Sequence, residues 1–196
     1  MSKERLYIFD TTLRDGAQTQ GVHFSLDEKT KIAHALDNLG VDYIEGGWPG
    51  ANPIDTEFFQ KKLKLKNSNF TAFGMTKKTG RSAENDPGLS AILNSNTSSV
   101  CLVGKAWDFH VDVALGISNE QNLENISETT KHFVKNNKEF MFDAEHFFDG
   151  YKSNPKYALE CIKAAYDNGA KWIVLCDTNG GTLPHEVTEI VKEVSK

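Results

Sequence analysis

Short β-rich runs alternate with helical patterns along the whole chain, and this alternation narrows the possible folds more than any other feature of the sequence. The strand candidates are LYIFDTT (6–12), VDYIEGG (41–47), FTAFGMT (70–76), SVCLVGKAW (99–107), EFMFDAEHFF (139–148) and WIVLCDT (172–178), each followed by a helical segment. Strand and helix in succession build a parallel sheet, because a parallel neighbour is reached only through a crossover. Two architectures qualify, an open doubly wound sheet and a (β/α)8 barrel.

The polar residues choose between them. An open sheet gathers its chemistry at one switch point, whereas a barrel draws functional groups from the C-terminal ends of many strands. Here Arg14 and Asp15 follow the first strand, Glu45 ends the second, Asp143 and Glu145 end the fifth, and Asp177 and Thr178 end the sixth. No G-x-G-x-x-G follows the first strand, so a dinucleotide fold loses its main support. The expected class is α/β, a (β/α)8 barrel left incomplete. Such a barrel takes ~250 residues, and this chain of 196 supplies about six of the eight βα units. Residues 1–196 show no linker or break in composition and read as part of one domain. Two open sheet edges would make the piece prone to aggregate on its own.

Local signals support the helices. Ser25 and Glu28 have capping-box spacing, Ile32, Leu36 and Leu39 follow with helical periodicity, and Gly40 ends the run. Asn52-Pro53, Asp86-Pro87 and Asn154-Pro155 each place a small polar cap before a proline at the first helical position. Leu123, Ile126, Thr130 and Phe133 mark the longest helix, and the last starts around Thr182 and Pro184. ALDNLGVDYIE (35–45) and AYDNGAKWIVL (165–175) repeat one pattern of helix end, glycine and strand.

Composition excludes several function classes. A net charge of −5 with both signs interspersed does not make the concentrated basic face that nucleic acid requires. No apolar run approaches the ~20 residues of a membrane helix, so a soluble protein is expected. MSKERLYIFD enters the first strand at once, leaving no room for a secretory signal and pointing to a cytoplasmic address. Cys101, Cys161 and Cys176 are odd in number, far apart and set in apolar runs, which suits reduced core residues better than a disulfide or zinc framework.

Several residues could carry chemistry, each with a plainer reading beside it. Asp143 and Glu145 alternate onto one strand face, toward the barrel mouth, or else form an ion pair; His146 falls on the other face, where packing is the simpler role. Arg14 and Asp15 could be a surface pair worth little. Their place after the first strand, with Gly16 and Gln18 following, favours an arginine that orients an anion and an aspartate that binds a metal. Gly180 and Gly181 make a tight turn that permits close backbone approach, but leave Asp177 and Thr178 unexplained. Trp48, in the turn GGWPGANP, could cover the mouth. Lys77, Lys78 and Arg81 read as a solvated loop, and with Lys105 they could instead hold a phosphate-bearing cosubstrate.

Four stretches together resemble the 2-isopropylmalate, homocitrate and citramalate synthases, metal-dependent barrels that condense acetyl-CoA with a 2-oxo acid: DTTLRDGAQ (10–18), IEGGWPGANPID (44–55), FDAEHFFDGYK (142–152) and DTNGGTLP (177–184). The second and third are more similar to the citramalate branch. The resemblance implies that the chain is the N-terminal part of a catalytic barrel domain. It makes Asp15 a ligand of a divalent ion (Mg, Mn or Zn), Arg14 the stabiliser of enolate and carbonyl oxygens, and Glu145 and Thr178 groups near the reacting carbonyl. Gln18, Asp143 and Glu45 would contact substrate. The implied reaction joins acetyl-CoA and pyruvate to citramalate and CoA, a step toward branched-chain amino acids, in a homodimer.

The same resemblance expects a His-x-His pair after a seventh strand to complete the metal site. None of His23, His34, His110, His132, His146 and His185 forms one, so this stretch alone is expected to be inactive. Condensation with 2-oxoisovalerate, a lyase or carboxyltransferase on a similar site, and a non-catalytic remnant are the rival readings.

Overall fold

The computed structural model describes residues 5–196; Met1–Glu4, the start of the stretch in which no signal segment was expected, lie outside the described residues. The chain forms two compact units. One runs to Gly74 and includes Pro87–Cys101; the other comprises Met75–Asp86 and Leu102–Lys196.

In the first unit β1 (Phe9–Asp10), β2 (Tyr43–Gly47), β3 (Asn69–Met75) and the opening of β4 (Ser99–Lys105) are neighbours in chain order. β2 runs parallel to both β1 and β3, with Phe9 opposite Tyr43 and Ile44 opposite Phe70. Only two residues of LYIFDTT pair. Leu6, Tyr7 and Ile8 are exposed, and β1 has β2 as its neighbour in the sheet, so little apolar surface draws the rest of the run into a strand.

α1 (Leu26–Leu39) opens with the expected capping box between Ser25 and Glu28 and stops at Gly40, whose φ of 88° suits glycine. Its inward stripe is Lys29, Ala33 and Asp37, with Ile32 and Leu36 partly buried against Leu13, Val41, Ile44 and Phe58. Leu39 is 77% exposed because it lies roughly 120° around the helix from Ala33. Asp37 accepts backbone N–H groups of Lys66, Asn67 and Ser68, and so ties the end of α1 to the entry of β3. α2 (Pro53–Gln60) and α3 (Pro87–Leu93) begin at the prolines the sequence marks.

In the second unit β4, β5 (Glu139–Glu145) and β6 (Trp172–Leu175) again follow chain order, and β5 and β6 are parallel. Neither unit reverses its strand order, which the doubly wound alternative requires. β4 leads into a short α4 (Asp108–His110) and a π-helical turn, Val111–Leu115, before the long α5 (Asn119–Lys135). β5 is followed by two helices, α6 (Phe147–Ser153) and α7 (Pro155–Tyr166), where one was expected; α8 (Pro184–Val194) follows β6.

EFMFDAEHFF is a strand only to Glu145, since His146 adopts a left-handed φ of 55° and Phe147 already belongs to α6. Both phenylalanines stay buried on the helix. Cys101 and Cys161 are buried as expected, whereas Cys176 is only partly so. Burial pushes the Cys161 thiol up to about 12, an inert core position. Lys77 departs from the solvated loop expected of it: it is buried, 2.9 Å from Glu128, and donates to the Arg81 carbonyl. No helix among the described residues is long and apolar enough to cross a membrane.

Candidate active site

Two groups of the sequence-marked residues take shape, one in each unit. In the first, the 10–18 segment folds into tight turns. The Asp10 carboxylate accepts the Thr12 backbone N–H and hydroxyl, and the Thr11 carbonyl accepts the N–H groups of Arg14 and Gly16. Leu13, fully buried, pins the segment to the core. Arg14 is thereby turned inward and Asp15 outward.

Arg14 Nε donates to Glu45 at 2.6 Å, its guanidinium lies 3.9 Å above the Phe73 ring, and its terminal nitrogen reaches Asp15 at 3.1 Å. Glu45 is fully buried on β2, while the Asp15 side chain is 63% exposed. The sequence pair is therefore the minor contact, and Glu45 is the residue that seats the arginine. An Arg flattened on an aromatic face with Nε anchored is held as a fixed planar cation.

Arg14 and Gln18 line a cavity of about 310 Å³ whose other walls include His23, Trp48, Asp55 and Phe73. Trp48 meets Phe73 edge-on at 5.5 Å, a wall of the cavity. The loop carrying Trp48 hangs on a buried knot that the sequence reading missed. Asp55 accepts the Trp48 N–H, the Asn52 amide and the Lys29 ammonium, and Lys29 also donates to the Gly46 carbonyl at 2.8 Å. The signal was present in α1, where Lys29 stands four residues before Ala33 on the inward stripe.

In the second unit Glu145 pairs with Lys105 across the ends of β5 and β4. Thr178 is exposed, and its hydroxyl accepts the backbone N–H of His146 at 2.9 Å, so it buttresses the turn directly after Glu145. Asp143 is buried one residue pair up the same strand face. Asp177 tightens its own loop by accepting the N–H and hydroxyl of Thr182, which holds its carboxyl below the usual range. Gly180 has φ 65°, and nothing lies within 4 Å of where a side chain would start at Gly180 or Gly181, so the pair shapes the turn without a close backbone contact.

A family model described as HMGL-like matches residues 5–196. The chain belongs to the HMGL-like family. Among curated relatives, (R)-citramalate synthase of Aquifex aeolicus is 53% identical over 98% of this chain, and 2-isopropylmalate synthase of Acetivibrio thermocellus is 32% identical over 98%. The chain spans 37% and 36% of those proteins, so it corresponds to little more than a third of their length. The HMG-CoA lyase structure of Bacillus subtilis superposes with a TM-score of 0.79 at 17% identity, covering 98% of this chain and 65% of that one. The HMGL-like fold assignment agrees with the sequential βα order, that of a (β/α)8 barrel of which six units are present here.

Proposed function

We propose that this chain is the N-terminal part of the catalytic barrel domain of a citramalate synthase, which condenses acetyl-CoA with pyruvate and releases CoA. The observation that carries the reading is the seating of Arg14: a guanidinium anchored by buried Glu45, stacked on Phe73 and lining a cavity at the end of β1. Such a fixed cation is what a reaction through an enolate requires, because negative charge develops on oxygen in its transition state. The greater identity to the citramalate than to the 2-isopropylmalate synthase supports pyruvate as the acceptor.

Each residue then has a task. Arg14 stabilises the enolate and carbonyl oxygens, Gln18 lines the substrate cavity, and Glu45 positions Arg14. Glu145, paired with Lys105, and Thr178, which braces the adjoining turn, act near the reacting carbonyl, with Asp143 close to substrate. Asp15 offers an exposed carboxylate, the hard oxygen donor suited to Mg or Mn and acceptable to Zn, and fits a divalent ion as one ligand of several. Such an ion supplies Lewis-acid polarisation of the 2-oxo acid carbonyl. The working form is a full-length homodimer.

The test is CoA release from acetyl-CoA by the full-length protein, with pyruvate and 2-oxoisovalerate offered separately. Turnover with pyruvate, with citramalate as product, supports the assignment. Preference for 2-oxoisovalerate moves it to the 2-isopropylmalate branch, and no release with either acid refutes it.

A further inference from the structure

We propose that the buried Lys29–Asp55 pair is a positioning device for the substrate cavity, acting through Trp48. The proposal rests on the condensation reading above and deepens it, since that reading gives neither residue a task. Lys29 is 4% and Asp55 8% exposed, and both line the cavity that Arg14 and Trp48 also line. An apolar pair would join α1 to α2 as well, because a buried ion pair gains little over well-packed side chains of similar volume. What apolar side chains cannot do is engage and orient the backbone N–H and C=O groups at the exit of β2.

The pair catches those groups in succession. Lys29 donates to the Gly46 carbonyl at 2.8 Å and to Asp55, and Asp55 accepts the Trp48 N–H at 3.0 Å and the Asn52 amide at 3.0 Å. Thr56 closes the far end of the loop, its hydroxyl accepting the Gly50 N–H at 3.1 Å and donating to the Asn52 carbonyl at 2.7 Å. Gly47 makes room for this clamp: its φ is 142°, and a methyl group there would lie 2.6 Å from the Asp55 carboxyl carbon. The pairing of β2 with β3 also shifts register between Glu45 and Gly47, and an irregularity of that kind re-aims the side chains beside it.

The side chain so aimed is Trp48. Its indole meets Phe73 edge-on, and Phe73 carries the Arg14 guanidinium on its face, so the cavity wall and the cation share one support. Trp48 is only half-buried, and a single edge-on ring contact does not fix the loop that carries it. Asp55 does so, by holding the Trp48 backbone from the side of α2. A wall of this kind touches bound substrate before and during the chemistry alike. Displacing it therefore weakens binding more than it slows the bond-forming step.

The experiment uses the full-length protein with Lys29→Met/Asp55→Asn, which leaves no buried charge unpaired, and with Asn52→Ser, which keeps a cap on α2 but removes the amide that donates to Asp55. In the double variant KM for the 2-oxo acid should rise about 10-fold, with kcat within about 3-fold of wild type. Asn52→Ser should move KM the same way by a smaller factor. In a Trp48→Ala background the same substitutions should leave KM where Trp48→Ala puts it, since residues acting through one wall are not additive. A wild-type KM in the folded double variant, or effects that multiply with that of Trp48→Ala, would overturn the proposal; should the double variant fail to fold, Asn52→Ser decides by the same criteria. Fluorescence reads the indole without turnover: with Trp107→Phe and Trp172→Phe in place, Trp48 is the one tryptophan among these residues, and acrylamide should quench it more strongly once the clamp is altered. If the wild type releases no CoA with any 2-oxo acid, the condensation reading fails by itself. Stronger quenching then still supports the hold of the pair on Trp48, and unchanged quenching removes it.

Discussion

Arg14 Nε and Glu45 Oε2 meet at 2.6 Å, joining the turn after β1 to the buried centre of β2. The adjacent Arg14 and Asp15 charges in the sequence thus have different partners and purposes. Removing a buried partner leaves a charge uncompensated, whereas an exposed pair contributes little. Glu45→Gln should cost about 3 kcal/mol and Asp15→Asn less than about 1 kcal/mol. Urea unfolding of the two variants checks this, and equal losses would show that the exposed contact matters as much as the buried one.

Arg14→Ala in the full-length protein should lower turnover by about 10²- to 10³-fold, the effect of losing one preorganised stabiliser of an oxyanion. Arg14→Lys should recover little of it, because an ammonium cannot both hold Glu45 and stack flat on Phe73. CoA release with pyruvate is the measurement; near-native turnover in either variant contradicts the role given to Arg14.

Asp55 gathers Lys29, Asn52 and the Trp48 N–H in one place, so Asp55→Asn strands a buried ammonium. A loss of about 3 to 5 kcal/mol is expected. Pairing it with Lys29→Met should return part of that stability by removing the stranded charge. Additive losses in the double variant would mean that the two residues are not coupled.

Gly150→Ala adds a methyl group against the Ala106 backbone, which has no flexible end to move aside. The expected cost is at least about 2 kcal/mol. A thermal melt unchanged from wild type would show that α6 can shift away at no cost.

Asp37 gives the pH dependence. Burial raises its carboxyl, but the N–H groups of Lys66, Asn67 and Ser68 outweigh burial and leave it below the ordinary carboxylate value. Its contribution is therefore present above the unfolded value of ~3.9 and is lost as pH falls through the lower folded value. Asp37→Asn should be less stable than wild type at about pH 6, with the gap narrowing toward about pH 3. A constant gap across that range would assign the effect to shape and not to charge.

Much of the fold was legible because it depends on local chemistry. The Ser25 and Glu28 box, Pro53, Pro87 and Pro155 at helix starts, and Gly40 at a helix end are set by backbone donors and dihedral limits within a few residues. Where the local signal was ambiguous the reading overshot. Apolar alternation ran through His146 to Phe148, yet both phenylalanines bury equally well from α6, and periodicity alone does not separate a short strand from a short helix.

The sequence by itself determined the strand and helix order, the polar residues at strand ends and the family resemblance, since each is carried by neighbours in the chain. Tertiary structure alone decided the partners: Glu45 and not Asp15 for Arg14, Lys29 for Asp55, and Lys105 for Glu145. Those choices turn on how closely separate elements approach, and Coulomb and packing energies depend on a distance in space that spacing along the chain does not encode.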